Sequence, residues 1–247
     1  MFYEKNMEIS RIFEEYSKVL KGKYRDSPED SIFFHQAIYR FFAIDRPDWL
    51  VLHGSAISCN GSAIVFGDDG SSLGKTSNSL QAFVDLKRKG YEVKYIADEF
   101  LLFHEGNIYP NPFYPIHVKP TSKIDMENLF GFYTEFLELP EMRYAKEPVM
   151  IANILCPKPG EKSLLRQYKG QEAQKALHCT AYAHCMKLLN PSFDRNSLFK
   201  AASDIEVKNL KGYTYNSSRN PLQVPIWELQ IAEYSDLIDL LEGEQII

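Results

Sequence analysis

The segment Ala63-Ile64-Val65-Phe66-Gly67-Asp68-Asp69-Gly70-Ser71-Ser72-Leu73-Gly74-Lys75-Thr76 decides how the rest of the chain is read. Four apolar residues run straight into a glycine-rich stretch, and an amphipathic pattern follows from Lys75 to Lys89, with Leu80, Phe83 and Val84 on one face. The pattern predicts a strand, a loop and a helix. Glycines let successive backbone N–H groups turn toward one anion, and the start of the helix adds its positive end. A lysine at that point suits phosphate oxygens, and the hydroxyl after it suits Mg²⁺. The spacing departs from the usual four residues between glycines: six separate Gly67 from Gly74, and three separate Gly70 from Gly74. The candidate phosphate-binding residues are Gly67, Asp68, Gly70, Ser71, Ser72, Leu73, Gly74, Lys75, Thr76 and Ser77.

Flanking segments extend this reading. Upstream, Leu50 to Ile57 reads as a strand, joined to Ser62–Phe66 through Cys59-Asn60-Gly61, and Asn-Gly is a strong hairpin signal. Downstream, Lys87-Arg88-Lys89 and Gly90 close the helix with cations and a C-terminal glycine. Tyr91 to Ala97 then predicts a strand ending in Asp98-Glu99. On a parallel neighbour, that end would bring two carboxylates beside the loop, one to hold Mg²⁺ and one to take a proton from an attacking hydroxyl. A hairpin is expected around Glu105-Gly106-Asn107. Strand, glycine loop, helix and acid-bearing strand together argue for an α/β core with a nucleotide site.

The remainder is read more coarsely. Amphipathic helices are expected over Ile9–Leu20 and from Ser27 through Phe42, and further helices over Ile124–Glu138, Gln171–Leu189 and Phe193–Lys211. Strands are expected near Ile116–Lys119, at Val149–Leu155 and at Val224–Ala232, with Ser235 capping a last helix through Leu241. The whole is expected to be one α/β domain over 1–247: a helical segment 1–46, a nucleotide-binding core 47–120, and helices and strands over 121–247.

Composition narrows the function classes. With 247 residues, 45% hydrophobic and 25% charged, the chain can bury a core and is not a low-complexity or disordered polymer. A net charge of -5 argues against nucleic acid as partner. No apolar run reaches the ~18 residues of a membrane span, and MFYEKNMEIS lacks the features of a signal peptide. Four scattered cysteines without a CxxC pair read as free thiols, so a cytoplasmic setting is expected. His178-Cys179 and His184-Cys185 lack the short paired spacing of a zinc site and are read as helix residues. Lys119, Lys123, Arg143 and Arg166 are read as solvated surface.

Leu52-His53-Gly54, Gly61, Ile64-Val65-Phe66-Gly67-Asp68, Gly70, Leu73-Gly74-Lys75-Thr76 and Ala97-Asp98-Glu99 together resemble the HPr kinase/phosphorylase family. Its members carry His-Gly on a strand, a Gly-Asp/Glu-Ser-Gly-x-Gly-Lys-Ser/Thr loop and a strand ending Ala-Asp-Asp. Phosphoenolpyruvate carboxykinases share the nucleotide-binding core. The resemblance covers about residues 50 to 104 and implies a P-loop core with a mixed sheet, N-terminal helices and a helical C-terminal part. It also implies a kinase using ATP and Mg²⁺ on a serine-type hydroxyl of a peptide, protein or small molecule, working as a homo-oligomer. By position, Lys75 would bind phosphates, Thr76 the metal, and Asp98 would be the base, with His53 assisting and Glu99 a second metal or water ligand. The sequence departs from the family in Ser71-Ser72, in Asp69 where serine is usual, and in lacking a Glu-Val-Arg-Gly-x-Gly segment. Shorter HPr-kinase-like enzymes that phosphorylate a serine on biosynthetic peptides match it better in shape. A nucleotide-binding regulatory module without catalysis is the alternative.

Overall fold

The computed structural model describes residues 50–69, 74–110, 116–118, 125–130, 136–137, 139, 143–183 and 224–247. The helices expected over 9–20, 27–42 and 193–211 lie outside these residues, as do Gly70, Ser71, Ser72 and Leu73 of the glycine-rich loop.

Strand β1 (Leu50–Cys59) turns through Asn60-Gly61 into β2 (Ser62–Phe66). Both turn residues have positive φ, 50° and 83°, the backbone of a two-residue turn whose twist matches that of its strands. Helix α1 (Lys75–Arg88) follows. It ends as its sequence predicts: Gly90 has φ 92°, its N–H bonds to the Lys87 carbonyl, and the Tyr91 N–H bonds to that of Leu86. Strand β3 (Val93–His104) then runs back along β1, and a second two-residue turn, Glu105-Gly106, leads to β4 (Asn107–Tyr109). Short pieces come next: β5 (Ile116–His117), α2 (Met126–Phe130) and β6 (Phe136–Leu137). The chain continues through β7 (Val149–Pro159), β8 (Leu164–Gln167), α3 (Gly170–His178) with a π turn at Cys179–Ala183, β9 (Ile226–Ile231) and α4 (Asp236–Gly243).

Among the described residues, seven strands form one mixed sheet in the order β2-β1-β3-β4-β7-β9-β8, and β2 also pairs with β7. Because β7 pairs with both β4 and β2, strands β1, β2, β3, β4 and β7 close into a ring, and β2 is paired on both sides. The β2–β7 and β7–β9 pairs are parallel and the others antiparallel. Two-residue alternation sorts the side chains. Ile57, Ile64 and Phe66 meet Leu80, Phe83 and Leu86 of α1 and Leu237 and Leu241 of α4. On the opposite face Leu52, Ala56, Val65 and Ile154 pack with Leu177 and Ala181. The strands read as apolar runs because both faces are covered.

Four expectations need correction. The strand over Tyr91–Ala97 does not stop at Asp98-Glu99; it runs unbroken to His104, so both acids lie inside β3. Nor is β3 adjacent to β2: the two run parallel with β1 between them. A helix over Ile124–Glu138 gives way to α2 and to β6, which pairs with β5. Ser235 precedes α4 as expected but makes no side-chain cap bond to it; its hydroxyl donates to the Asp236 carboxylate instead.

The β1–β2 hairpin imposes one tight constraint. A Cβ at Gly54 would stand 2.6 Å from the Phe66 carbonyl oxygen, a backbone atom that cannot swing aside. Gly54→Ala is therefore expected to lower stability by about 1–3 kcal/mol through overpacking, read as a lower midpoint in urea. An unchanged midpoint would contradict this packing.

Candidate functional site

Asp98 is 1% exposed, and an irregularity in β3 aims it. Ala56 pairs with Ala97 but Ile57 pairs with Tyr95, so Ile96 is an extra, bulged residue. Bulges shift which face the following side chains meet. Tyr95 therefore lies in the core under α1, Ile96 and Ala97 in the opposite core, and Asp98 turns back toward α1. Its neighbour Glu99 has φ 64°, a left-handed conformation costly for a residue with a side chain.

Asp98 Oδ1 accepts a hydrogen bond from the Thr76 hydroxyl at 3.1 Å, and Oδ2 accepts one from the His117 backbone N–H at 3.2 Å. The Ser55 hydroxyl, opposite in register, bonds to the same carboxylate. Burial nevertheless dominates, and with the negative charge of Glu99 it raises the Asp98 pKa to about 7. Beneath Asp98, the hydroxyls of Ser55, Ser79 and Tyr95 bond to one another, and Ser79 donates to the Thr76 carbonyl at 2.9 Å. The first turn of α1 and strand β3 are thus tied by side chains rather than by the backbone ladder.

A second group surrounds Asp68, 6% exposed. The Lys75 ammonium lies 3.3 Å from Asp68 Oδ2. His53 Nδ1 lies 3.8 Å from that oxygen, and His53 Nε2 lies 3.3 Å from Glu99 Oε1. His53, Asp68, Lys75, Thr76, Asp98 and Glu99, far apart in sequence, therefore form one continuous cluster. At the head of α1, Gly74 has φ 77°, and its carbonyl accepts from both the Asn78 backbone N–H and the Asn78 side-chain amide. Two amides of the candidate loop are already engaged: Gly67 N–H donates to Leu155 O at 2.7 Å, and Asp68 N–H to Thr180 Oγ1 at 2.9 Å. Ser77 is buried and hydrogen-bonded to Tyr234.

Sequence reasoning missed several members. Ser55, the His117 backbone, Thr180, Lys158 and Tyr168 carry no motif and reach the site only through sheet register and packing. Lys158 stands 2.8 Å from Asp69 Oδ2, and the Tyr168 hydroxyl donates to the same oxygen at 2.7 Å. Arg166 pairs with Glu172 and Glu228 rather than standing free in solvent. Cys59, Cys156 and Cys179 are buried free thiols. His184 and Cys185 lie outside the described residues.

Thr76 and Asp98 offer hard oxygen atoms of the kind Mg²⁺ prefers. Among the described residues no three His, Cys, Asp or Glu side chains form a metal cage. Mg²⁺ commonly binds through one or two carboxylates together with substrate phosphates and water, so the donor set fits that mode. No described helix is long and apolar enough to cross a membrane.

No family model matches the chain, and no curated protein matches it. Among solved structures, the Hpr(Ser) kinase/phosphatase from Coxiella burnetii is similar at 9% sequence identity and a TM-score of 0.35, over 79% of this chain and 96% of that one.

The pKa of Asp98 has a consequence for stability. Because folding raises it from 3.8 to about 7, this group favours the folded state fully below pH ~4, and the contribution is lost as pH climbs to about 7. At roughly 1.4 kcal/mol per pH unit the loss is on the order of 4 kcal/mol. Asp98→Asn should flatten the stability profile between pH 4 and pH 7, measured by denaturant titration at several pH values. A variant that keeps the wild-type slope would contradict the burial of an ionisable Asp98.

Proposed function

We propose that the chain is an ATP- and Mg²⁺-dependent kinase that transfers the γ-phosphoryl group to a serine-type hydroxyl of a peptide, protein or small molecule. The observation that carries this reading is the direct hydrogen bond from Thr76, at the first turn of a helix entered through a glycine-rich loop, to the buried carboxylate of Asp98. One group there suits a phosphate-bound metal and the other suits a proton.

Asp98 is the base. It accepts the proton of the acceptor hydroxyl as that oxygen bonds to the γ-phosphorus and the bond from phosphorus to the β-phosphate oxygen breaks, leaving ADP. A carboxylate with a pKa of about 7 is matched to that task near neutral pH. Lys75 leaves Asp68 for the phosphates and offsets their charge. Thr76 and Glu99 would hold Mg²⁺, which would supply charge neutralisation at the transferred group and leave the Asp98 carboxylate to the proton. His53, between Asp68 and Glu99, keeps two carboxylates in place around the phosphates. Loop amides from Gly70 to Ser77 complete the phosphate cradle.

A second reading, a nucleotide-binding regulatory module without catalysis, draws on the Lys75–Asp68 ion pair, in which a buried carboxylate competes with phosphate for the lysine.

The two readings separate in one experiment. Transfer from γ-labelled ATP to a panel of serine peptides and hydroxylated metabolites is measured beside calorimetric binding of Mg·ADP. Asp98→Asn is expected to keep Mg·ADP binding and lose at least about 100-fold in transfer, the scale of a general base; Lys75→Met is expected to lose binding itself. An Asp98→Asn variant that turns over an acceptor at the wild-type rate would overturn the kinase reading. Nucleotide binding without transfer to any acceptor would favour the second.

A further inference from the structure

Asp69 sets a physical problem. It stands in a loop assigned above to phosphates, carries a negative charge and is 7% exposed. A carboxylate so buried requires partners, and it finds them outside the nucleotide motif. Lys158, on β7, lies 2.8 Å from Oδ2, and the phenol of Tyr168, just after β8, donates to the same oxygen at 2.7 Å. The Lys158 ammonium also lies 5.4 Å from the centre of the Tyr168 ring, with the Arg166 guanidinium at 5.2 Å, close enough for cation–π attraction. Burial and the Asp69 charge push the Tyr168 phenol up, so it stays a donor.

One residue earlier, the π turn grips the backbone itself. Thr180 Oγ1 accepts from the Asp68 N–H and donates to the Asp68 carbonyl, each at 2.9 Å. The fit is close: a Cβ on Gly67 would stand 2.6 Å from that hydroxyl.

We infer that Thr180, Tyr168 and Lys158 are positioning residues of the nucleotide site, clamping residues 67–69, the stretch by which the chain leaves β2 for that site. None of the three touches the reacting atoms. The inference rests on the nucleotide reading above, but the clamp has its own readout. Because Lys158 answers the charge of Asp69, the loop can carry that acid without repelling an anion.

The test uses the full chain with Thr180→Val, which removes both bonds at nearly constant volume, and Tyr168→Phe, which removes only the hydroxyl. Lys89→Met, which breaks ion pairs at the far end of α1, is the control. Mg·ADP affinity is measured by calorimetry and amide exchange is followed over residues 66–76, both well below each variant's melting temperature. Thr180→Val and Tyr168→Phe are each expected to weaken Mg·ADP by roughly 3- to 30-fold and to speed exchange in that segment alone, while Lys89→Met does neither. If Thr180→Val does not fold, Tyr168→Phe decides. Wild-type affinity with unchanged exchange overturns the clamp, and so does faster exchange throughout the molecule, which marks a general loss of stability. Should the wild type bind no Mg-nucleotide, the nucleotide reading fails, and exchange confined to 66–76 still decides for the clamp.

Discussion

A carboxylate pressed into an apolar interior must either gain donors or give up its charge, and Asp98 stands between the two. Three donors reach it: the Thr76 hydroxyl, the His117 amide and the Ser55 hydroxyl. They do not fully offset the loss of water, so its pKa stays near 7. Much of the surrounding structure follows from holding the group there. The Ile96 bulge turns Asp98 toward α1, the left-handed backbone at Glu99 sits beside it, and hydroxyls of Ser55, Ser79 and Tyr95 fill the space below. Perturbation of this kind, in a group placed between a helix start and a sheet, is a common property of acid–base sites.

Charge is distributed with equal economy. Asp68, Asp69, Asp98 and Glu99 would repel an anionic ligand if all were exposed and ionised. The fold divides them instead. Asp69 is answered by Lys158, Asp68 by Lys75, and Glu99 lies against His53. The ion pair that a phosphate would have to open is Lys75–Asp68, while Lys158–Asp69 can persist as scaffold.

The local parts of this arrangement were legible from the residues. Asn60-Gly61 specifies its turn because few other pairs tolerate positive φ twice in succession, whereas at Glu105-Gly106 only the glycine favours that backbone and Glu105 adopts φ 48° against its preference. Gly90 ends α1 for the same reason. The strand–loop–helix order came from apolar periodicity, which is dictated by burial on both faces. What could not be read were features set by pairing between distant segments. Nothing in Tyr91–Phe103 announces that the strand continues through two acids, because the ladder with β1 overrides the local preference of Asp98 and Glu99. The bulge at Ile96 is equally silent in sequence. Lys158, Tyr168 and Thr180 joined the site through the β2–β7 pairing and the π turn, where no spacing rule applies.

The most direct test of the central claim is a crystal structure with Mg²⁺ and a non-hydrolysable ATP analogue. It should show the Lys75 ammonium moved from Asp68 to a phosphate oxygen, the Thr76 hydroxyl on the metal, and Asp98 facing the open side of the γ-phosphate. Phosphates bound elsewhere, or Lys75 still paired with Asp68 beside a bound nucleotide, would contradict it.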